Sequence, residues 1–158
     1  MKFRTALFLA SGLATAAALP AQAGEQTLEF TLVTHLMDFK DLKAPNVEGR
    51  SLFSGNAFGV AFFKDGRVAT KDFVTEGEFA NGESHERGLS TYSFTDGSTL
   101  SLSYVGEFKD GRSHGDYTVL SGTGIYANAT GDGVFDNQPT KWKSSAFLFS
   151  VKLNVKTP

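Results

Sequence analysis

The chain has no cysteine among its 158 residues, which excludes disulfides, thiol nucleophiles and thiolate metal sites. It has no sustained apolar repeat at helical spacing beyond its first 23 residues, so helical bundles and α/β folds are excluded with it. It lacks internal repeats and low-complexity linkers. It also lacks a basic stripe. With Lys2 and Arg4 set aside, the 15 basic residues become 13 against 17 acidic ones, a net charge of −4 with the two signs interspersed. Nucleic acid is therefore not an expected partner.

Residues 1–23 read as a leader. Lys2 and Arg4 form a basic start, Ala6 to Leu19 an apolar run, and Ala21-Gln22-Ala23 a small-x-small cleavage site. A transmembrane anchor needs about 20 apolar residues, and this run is broken by Ser11, Gly12 and Thr15. The expectation is a signal peptide cleaved after Ala23 and a periplasmic or secreted protein. Residues 24–158 then have the size of one domain, large enough to bury roughly two thirds of the unfolded surface without a staple.

What is present reads as strands. Asp65-Gly66 and Asp96-Gly97 each sit between β-prone runs and suit two-residue type I′ hairpins. Strands are expected at 26–36, 51–63, 67–79, 88–95, 98–108, 115–121, 131–136 and 143–156. In the last, Phe147, Phe149, Val151, Leu153 and Val155 alternate with more polar residues. Leu100, Leu102, Tyr104 and Phe108 alternate likewise. Between 121 and 133, Gly-Thr-Gly and Gly-Asp-Gly bracket Ile125–Ala129, a span suited to one helical turn at a corner between strands. Eight antiparallel strands without covering helices dispose of their edges by closing, so an eight-stranded antiparallel β-barrel is expected, with a flattened sandwich as the other solution. Such a barrel is wide enough for its own side chains or one small ligand.

A two-residue turn at Asp65-Gly66 pairs Ala61 with Thr70 and Gly59 with Asp72. Gly55, Ala57, Gly59 and Ala61 then share a face with Thr70, Asp72, Val74 and Glu76, while Phe58, Val60, Phe62, Ala69, Lys71 and Phe73 take the other. The first face reads either as the wall of a polar-lined hollow or as an ordinary solvent face.

The segment Gly122-Thr123-Gly124-Ile125-Tyr126-Ala127-Asn128-Ala129-Thr130-Gly131 resembles the Gly-x-Gly-x-Tyr/Phe-x-x-Ala-x-Gly corner of the allene oxide cyclase and dirigent proteins. Asn56–Phe63 and Tyr92–Ser98 fit the same strand order. The resemblance implies a calycin-like eight-stranded barrel, often trimeric, with an elongated apolar lumen. Plant members of that family guide the cyclisation of a reactive lipid epoxide or quinone methide by shape. If this chain is an enzyme, the resemblance implies a cyclase or isomerase that needs no cofactor. The matched glycines are corner residues and imply fold rather than chemistry.

Among chemistry-bearing residues, His35, His85 and His114 sit in separate segments without a close ligand pair, so no metal site is expected. Ser121 lacks the strand-to-helix elbow of a nucleophile, and Gly122-Thr123-Gly124 lacks the lysine and long helix of a phosphate loop. Carboxylates remain. Asp72 and Glu76 are the candidate catalytic pair, because a carboxylate in an apolar lumen has a raised pKa and can exchange protons with a ligand. Glu29, Tyr92, Tyr104, Tyr117 and Tyr126 are candidate ligand contacts, with core packing as the competing role for each tyrosine.

Three readings follow. One is an exported barrel that binds a small apolar or aromatic molecule and guides its cyclisation or isomerisation. Another is a structural module with a plugged lumen, trimerised through aromatic faces, since 15 phenylalanines exceed what one slim interior holds. The last is an outer-membrane barrel. Lys71 on an apolar face and the absence of aromatic girdles speak against membrane insertion.

Overall fold

The computed structural model describes residues 24–142 and 145–158. The expected signal peptide and its cleavage site lie outside the described residues. Eight strands follow in order: β1 (Gly24–Lys43), β2 (Arg50–Phe63), β3 (Val68–Ala80), β4 (Glu83–Phe94), β5 (Thr99–Lys109), β6 (Arg112–Thr123), β7 (Thr130–Gln138) and β8 (Ala146–Thr157). Each pairs antiparallel with the next, and β8 pairs with β1, so the sheet closes into a barrel. Between β6 and β7, Gly124–Tyr126 forms the single helical turn the corner was expected to hold. Ala127 N–H donates to the Gly124 carbonyl at 3.1 Å, and the Tyr126 ring is turned into the barrel, 0 % exposed.

The two ends of the barrel use different hairpins. At one end lie the β2–β3 and β4–β5 loops, the Gly124–Tyr126 turn and both described termini. Here the Asp-Gly pairs do not form type I′ turns. Phe63 N–H donates to the Arg67 carbonyl at 3.0 Å and Gly66 N–H to the Phe63 carbonyl at 3.0 Å, with Gly66 at φ +89°. That is a three-residue loop, a type I turn followed by a left-handed glycine and a bulge. Asp65 favours it by accepting the Arg67 backbone N–H at 3.1 Å. Phe94–Ser98 repeats the arrangement. At the opposite end, Asn81-Gly82 and Asp110-Gly111 have positive φ at both residues, 54° and 87°, 51° and 78°. These are the type I′ turns, and they lengthen β4 and β6 beyond the stretches expected from sequence.

The extra loop residue corrects the expected register. Ala61 pairs with Ala69, Gly59 with Lys71 and Ala57 with Phe73, one position away from the two-residue prediction. A one-residue slip turns every side chain of a strand to its other face. In β3 the inward set is therefore Ala69, Lys71, Phe73 and Thr75, while Asp72, Val74 and Glu76 are exposed outside.

Inward residues fill the barrel unevenly. Around the end that carries the termini, Leu28, Phe30, Phe63, Ala69, Phe94, Leu100, Val119, Tyr126, Leu153 and Val155 form a continuous core. Ring centroids there lie 4.4 Å (Phe30–Phe63), 5.3 Å (Phe63–Phe94) and 4.9 Å (Phe94–Tyr126) apart. Arg67 closes this end. Its guanidinium lies 5.5 and 5.7 Å from the Phe63 and Phe94 ring centroids and donates to Tyr126 Oη at 2.5 Å. Among the described residues only Phe58 and Phe62 of the phenylalanines stand on the outer wall, so the interior holds more rings than the sequence suggested.

Candidate functional site

The other half of the barrel is open. A cavity of about 280 Å³ lies between the strands, with Phe39, Phe53, Phe79, Phe108, Phe147 and Phe149 around its walls and mouth. Lys71, Thr75, Glu86, Tyr104 and Tyr117 supply its polar groups. Small molecules usually bind in concave, mostly apolar hollows with a few convergent polar groups, which makes this cavity the candidate site.

Lys71 is its central feature. Carried inward by the three-residue loop, it is 3 % exposed. Its Nζ donates to Tyr117 Oη at 2.7 Å. Four rings surround the amine, with centroids 4.5 Å (Phe73), 5.0 Å (Tyr117), 5.4 Å (Tyr92) and 5.5 Å (Tyr104) away. Such faces favour a cation, but burial outweighs them and pushes the amine down to about 7, with the Glu86 carboxylate opposing the shift. At neutral pH the amine and ammonium forms are thus both populated.

Glu86 reaches the same space from β4, half-buried and inward. Burial raises its carboxyl above the ordinary range, opposed by the Thr75 hydroxyl, which donates to it at 3.5 Å, and then by Lys71. Burial likewise holds Tyr104 and Tyr117 protonated far into the alkaline range. Tyr104 Oη donates to the Val74 carbonyl at 3.3 Å. Its ring lies where Gly88 leaves room: a Cβ at Gly88 would meet it at 2.5 Å and the Val74 carbonyl oxygen at 2.1 Å. Among the described residues Ser90 Oγ is sealed without a hydrogen-bond partner, and Tyr92 Oη has the Tyr117 hydroxyl beside it. Tyr92 pairs with Lys71 in register and Ser90 with Phe73.

The residues expected to form the site divide cleanly. Tyr92, Tyr104 and Tyr117 meet around Lys71. Tyr126 is inside but at the packed end, bonded to Arg67 and below the cavity. Asp72 and Glu76 are outside, which corrects their placement in the lumen. Glu76 pairs with Arg87 at 2.7 Å on the outer wall. Glu29 is also on the outer face, where the hydrogen bond from Lys64 and that ammonium's charge hold its carboxyl below the ordinary range. The three histidines are exposed, with His85 and His114 flanking Glu107 at 3.9 and 3.1 Å. Lys71 and Glu86 were missed. A signal existed: Ala69, Lys71, Phe73 and Thr75 bring one charge inward, whereas the alternative face would bury two carboxylates.

No protein-family model matches the chain, and no curated protein does. Solved structures do match. The pterocarpan synthase dirigent protein GePTS1 has a TM-score of 0.58, covering 92 % of this chain and 98 % of that one at 12 % identity. The pterocarpan synthase dirigent protein PsPTS1 has 0.56, with 85 % and 97 % covered at 14 % identity. A protein of unknown function from the DUF3224 family of Shewanella oneidensis MR-1 has 0.50, with 87 % and 99 % covered at 15 % identity. At such identities the likeness establishes architecture, and with closure in order from β1 to β8 it gives one conclusion: the chain has the eight-stranded barrel fold of the dirigent proteins.

Proposed function

We propose that the chain binds a small apolar or aromatic molecule in its lumen, with a polar group directed at Lys71, and moves a proton on it to guide isomerisation or cyclisation. The observation that carries this reading is the buried Lys71–Tyr117 pair at the floor of a phenylalanine-walled cavity. The amine form of Lys71 accepts a proton, the Tyr117 hydroxyl or the ammonium returns one, and Glu86 is the second exchangeable site on the wall. Proton transfer of this kind needs no cofactor. The solved structures named for pterocarpan synthase support the choice of an aromatic ligand by analogy of fold alone.

Export and self-association belong to the same proposal. The exposed Val74, Leu89, Val105 and Leu120 on the outer wall offer an apolar face for self-association. The family resemblance makes a trimer the expected state, and sedimentation at increasing concentration tests it. The ligand is tested by native mass spectrometry of protein purified gently from its host. A co-purifying mass of a few hundred daltons per chain, lost in Lys71→Met while the variant stays folded, is the expected result. An empty barrel that also ignores a panel of small aromatic compounds would overturn the reading.

A further inference from the structure

We infer that Lys71 is a reacting group for carbonyl compounds: an aldehyde or ketone carried into the lumen on an apolar or aromatic body condenses with Nζ to form a reversible imine. The inference rests on the lumen being a ligand site and adds the class of ligand.

Three observations carry it. First, the amine is at the floor of a cavity, with its one hydrogen bond to a phenol rather than a carboxylate, and among the described residues it makes no salt bridge. A lysine kept for structure at 3 % exposure would ordinarily have a carboxylate partner. Second, the groups facing it disfavour an anionic ligand. The rings of Phe73, Tyr92 and Tyr104 carry the negative side of their quadrupoles toward the amine, Tyr117 presents its hydroxyl oxygen, and Glu86 adds a carboxylate. A neutral carbonyl meets no such repulsion. Third, proton donors are in place for the dehydration. Tyr117 touches Nζ, and burial raises Glu86 toward its protonated form.

The chemistry balances without an oxidant or reductant. The Nζ lone pair adds to the carbonyl carbon, and the carbonyl oxygen takes a proton from Tyr117 or Glu86. The adduct's ammonium nitrogen returns one proton to the same groups to leave the neutral carbinolamine. The hydroxyl leaves as water after receiving one, and the iminium nitrogen then gives up the second, so both amine hydrogens end in the water. Carbonyl plus amine become imine plus water, and a neutral imine removes the cost of a buried ammonium. The ionisable groups that face Lys71 are Glu86 and Tyr92 of β4, Tyr104 of β5 and Tyr117 of β6. β1, β7 and β8 line the cavity beside it with Leu32, Thr34, Phe135 and Phe149, none of them ionisable.

The test uses the folded chain, cinnamaldehyde as probe and cyanoborohydride to trap the imine, with peptide mapping by mass spectrometry. Cinnamyl alcohol, which has the same body and no carbonyl, is the binding control in native mass spectrometry. The expected result near pH 7 is a reduced adduct at Lys71 formed on the order of tenfold or more faster than at the exposed Lys64, Lys152 or Lys156. The excess should fall on acidification to pH 5 and disappear in Lys71→Met. Labelling spread over surface lysines with none at Lys71, while cinnamyl alcohol still binds, overturns the imine and leaves the lumen site standing. If neither compound binds, both readings fail. The wild-type peptide map alone decides the matter if Lys71→Met does not fold.

Discussion

The same eight strands build a solid half and a hollow half. At the end closed by Arg67, Phe30, Phe63, Phe94 and Tyr126 meet ring against ring, and Leu100 and Leu153 fill the remaining space at 0 and 1 % exposure. At the other end, rings of the same kind stay against the wall. Phe39 and Phe147 are each 42 % exposed, and the space between the walls is left to Lys71, Glu86 and Thr75. The difference is one of placement rather than composition. Where the chain needs stability it lets aromatic side chains cross the axis, and where it needs room it places charge and hydroxyl groups that cannot be packed away cheaply.

Truncation in the two halves should separate them most strongly. Leu100→Ala is expected to cost about 2–5 kcal/mol, as for a fully buried leucine, whereas Phe149→Ala at the cavity wall should cost well under half as much because space already exists beside it. Urea unfolding of both variants measures the gap, and equal losses would erase the distinction between the halves.

Next in size is Gly88→Ala. Its methyl group collides with the Tyr104 ring and the Val74 carbonyl, so a loss of about 1–3 kcal/mol is expected. Ligand binding should fall with it, because the displaced Tyr104 ring moves into the hollow.

The lysine gives the hollow half a pH signature. Its native pKa is about 7 against an ordinary 10.5, so between those values the native state holds fewer protons than the unfolded chain. Stability should therefore rise with pH across that window, by at most about 1.4 kcal/mol per pH unit. It should be flat there in Lys71→Met, measured by denaturant midpoints from pH 7 to 10. Glu86→Gln removes a charge that favours the ammonium and should move the onset of the rise to lower pH.

The smallest effect is expected outside. Asp72→Asn and Glu76→Gln should change stability by no more than about 0.5 kcal/mol and leave lumen binding untouched. A loss of binding in either would return the site to the outer face.

Much of this architecture could be read without coordinates. The alternation in β5 and β8 gave the correct inward faces, and the glycine-bounded corner at 122–131 holds the helical turn it was expected to hold. The candidate site was less legible for one reason. Asp-Gly serves both the two-residue type I′ turn and the three-residue bulged loop, and the choice between them inverts a strand. At Asp65-Gly66 the bulged loop forms, so Lys71 went in and Asp72 went out. Glu86 was hidden differently. Glu83–Arg87 is polar enough to resemble a loop, but the Asn81-Gly82 turn draws it into β4 and gives Glu86 the parity of Tyr92. The tyrosines were found because aromatic residues in strands usually pack inward whichever turn is used.

The Arg67 plug makes the barrel a cup rather than a pipe. A molecule that reaches Lys71 has one way out, past Phe39, Phe53, Phe108 and Phe147, and the water it displaces shares that passage on the way in. The rim then limits entry and exit together, and the floor decides how tightly the occupant is held. Widening the mouth should speed arrival and departure alike, whereas changing the floor alters only how long the occupant stays.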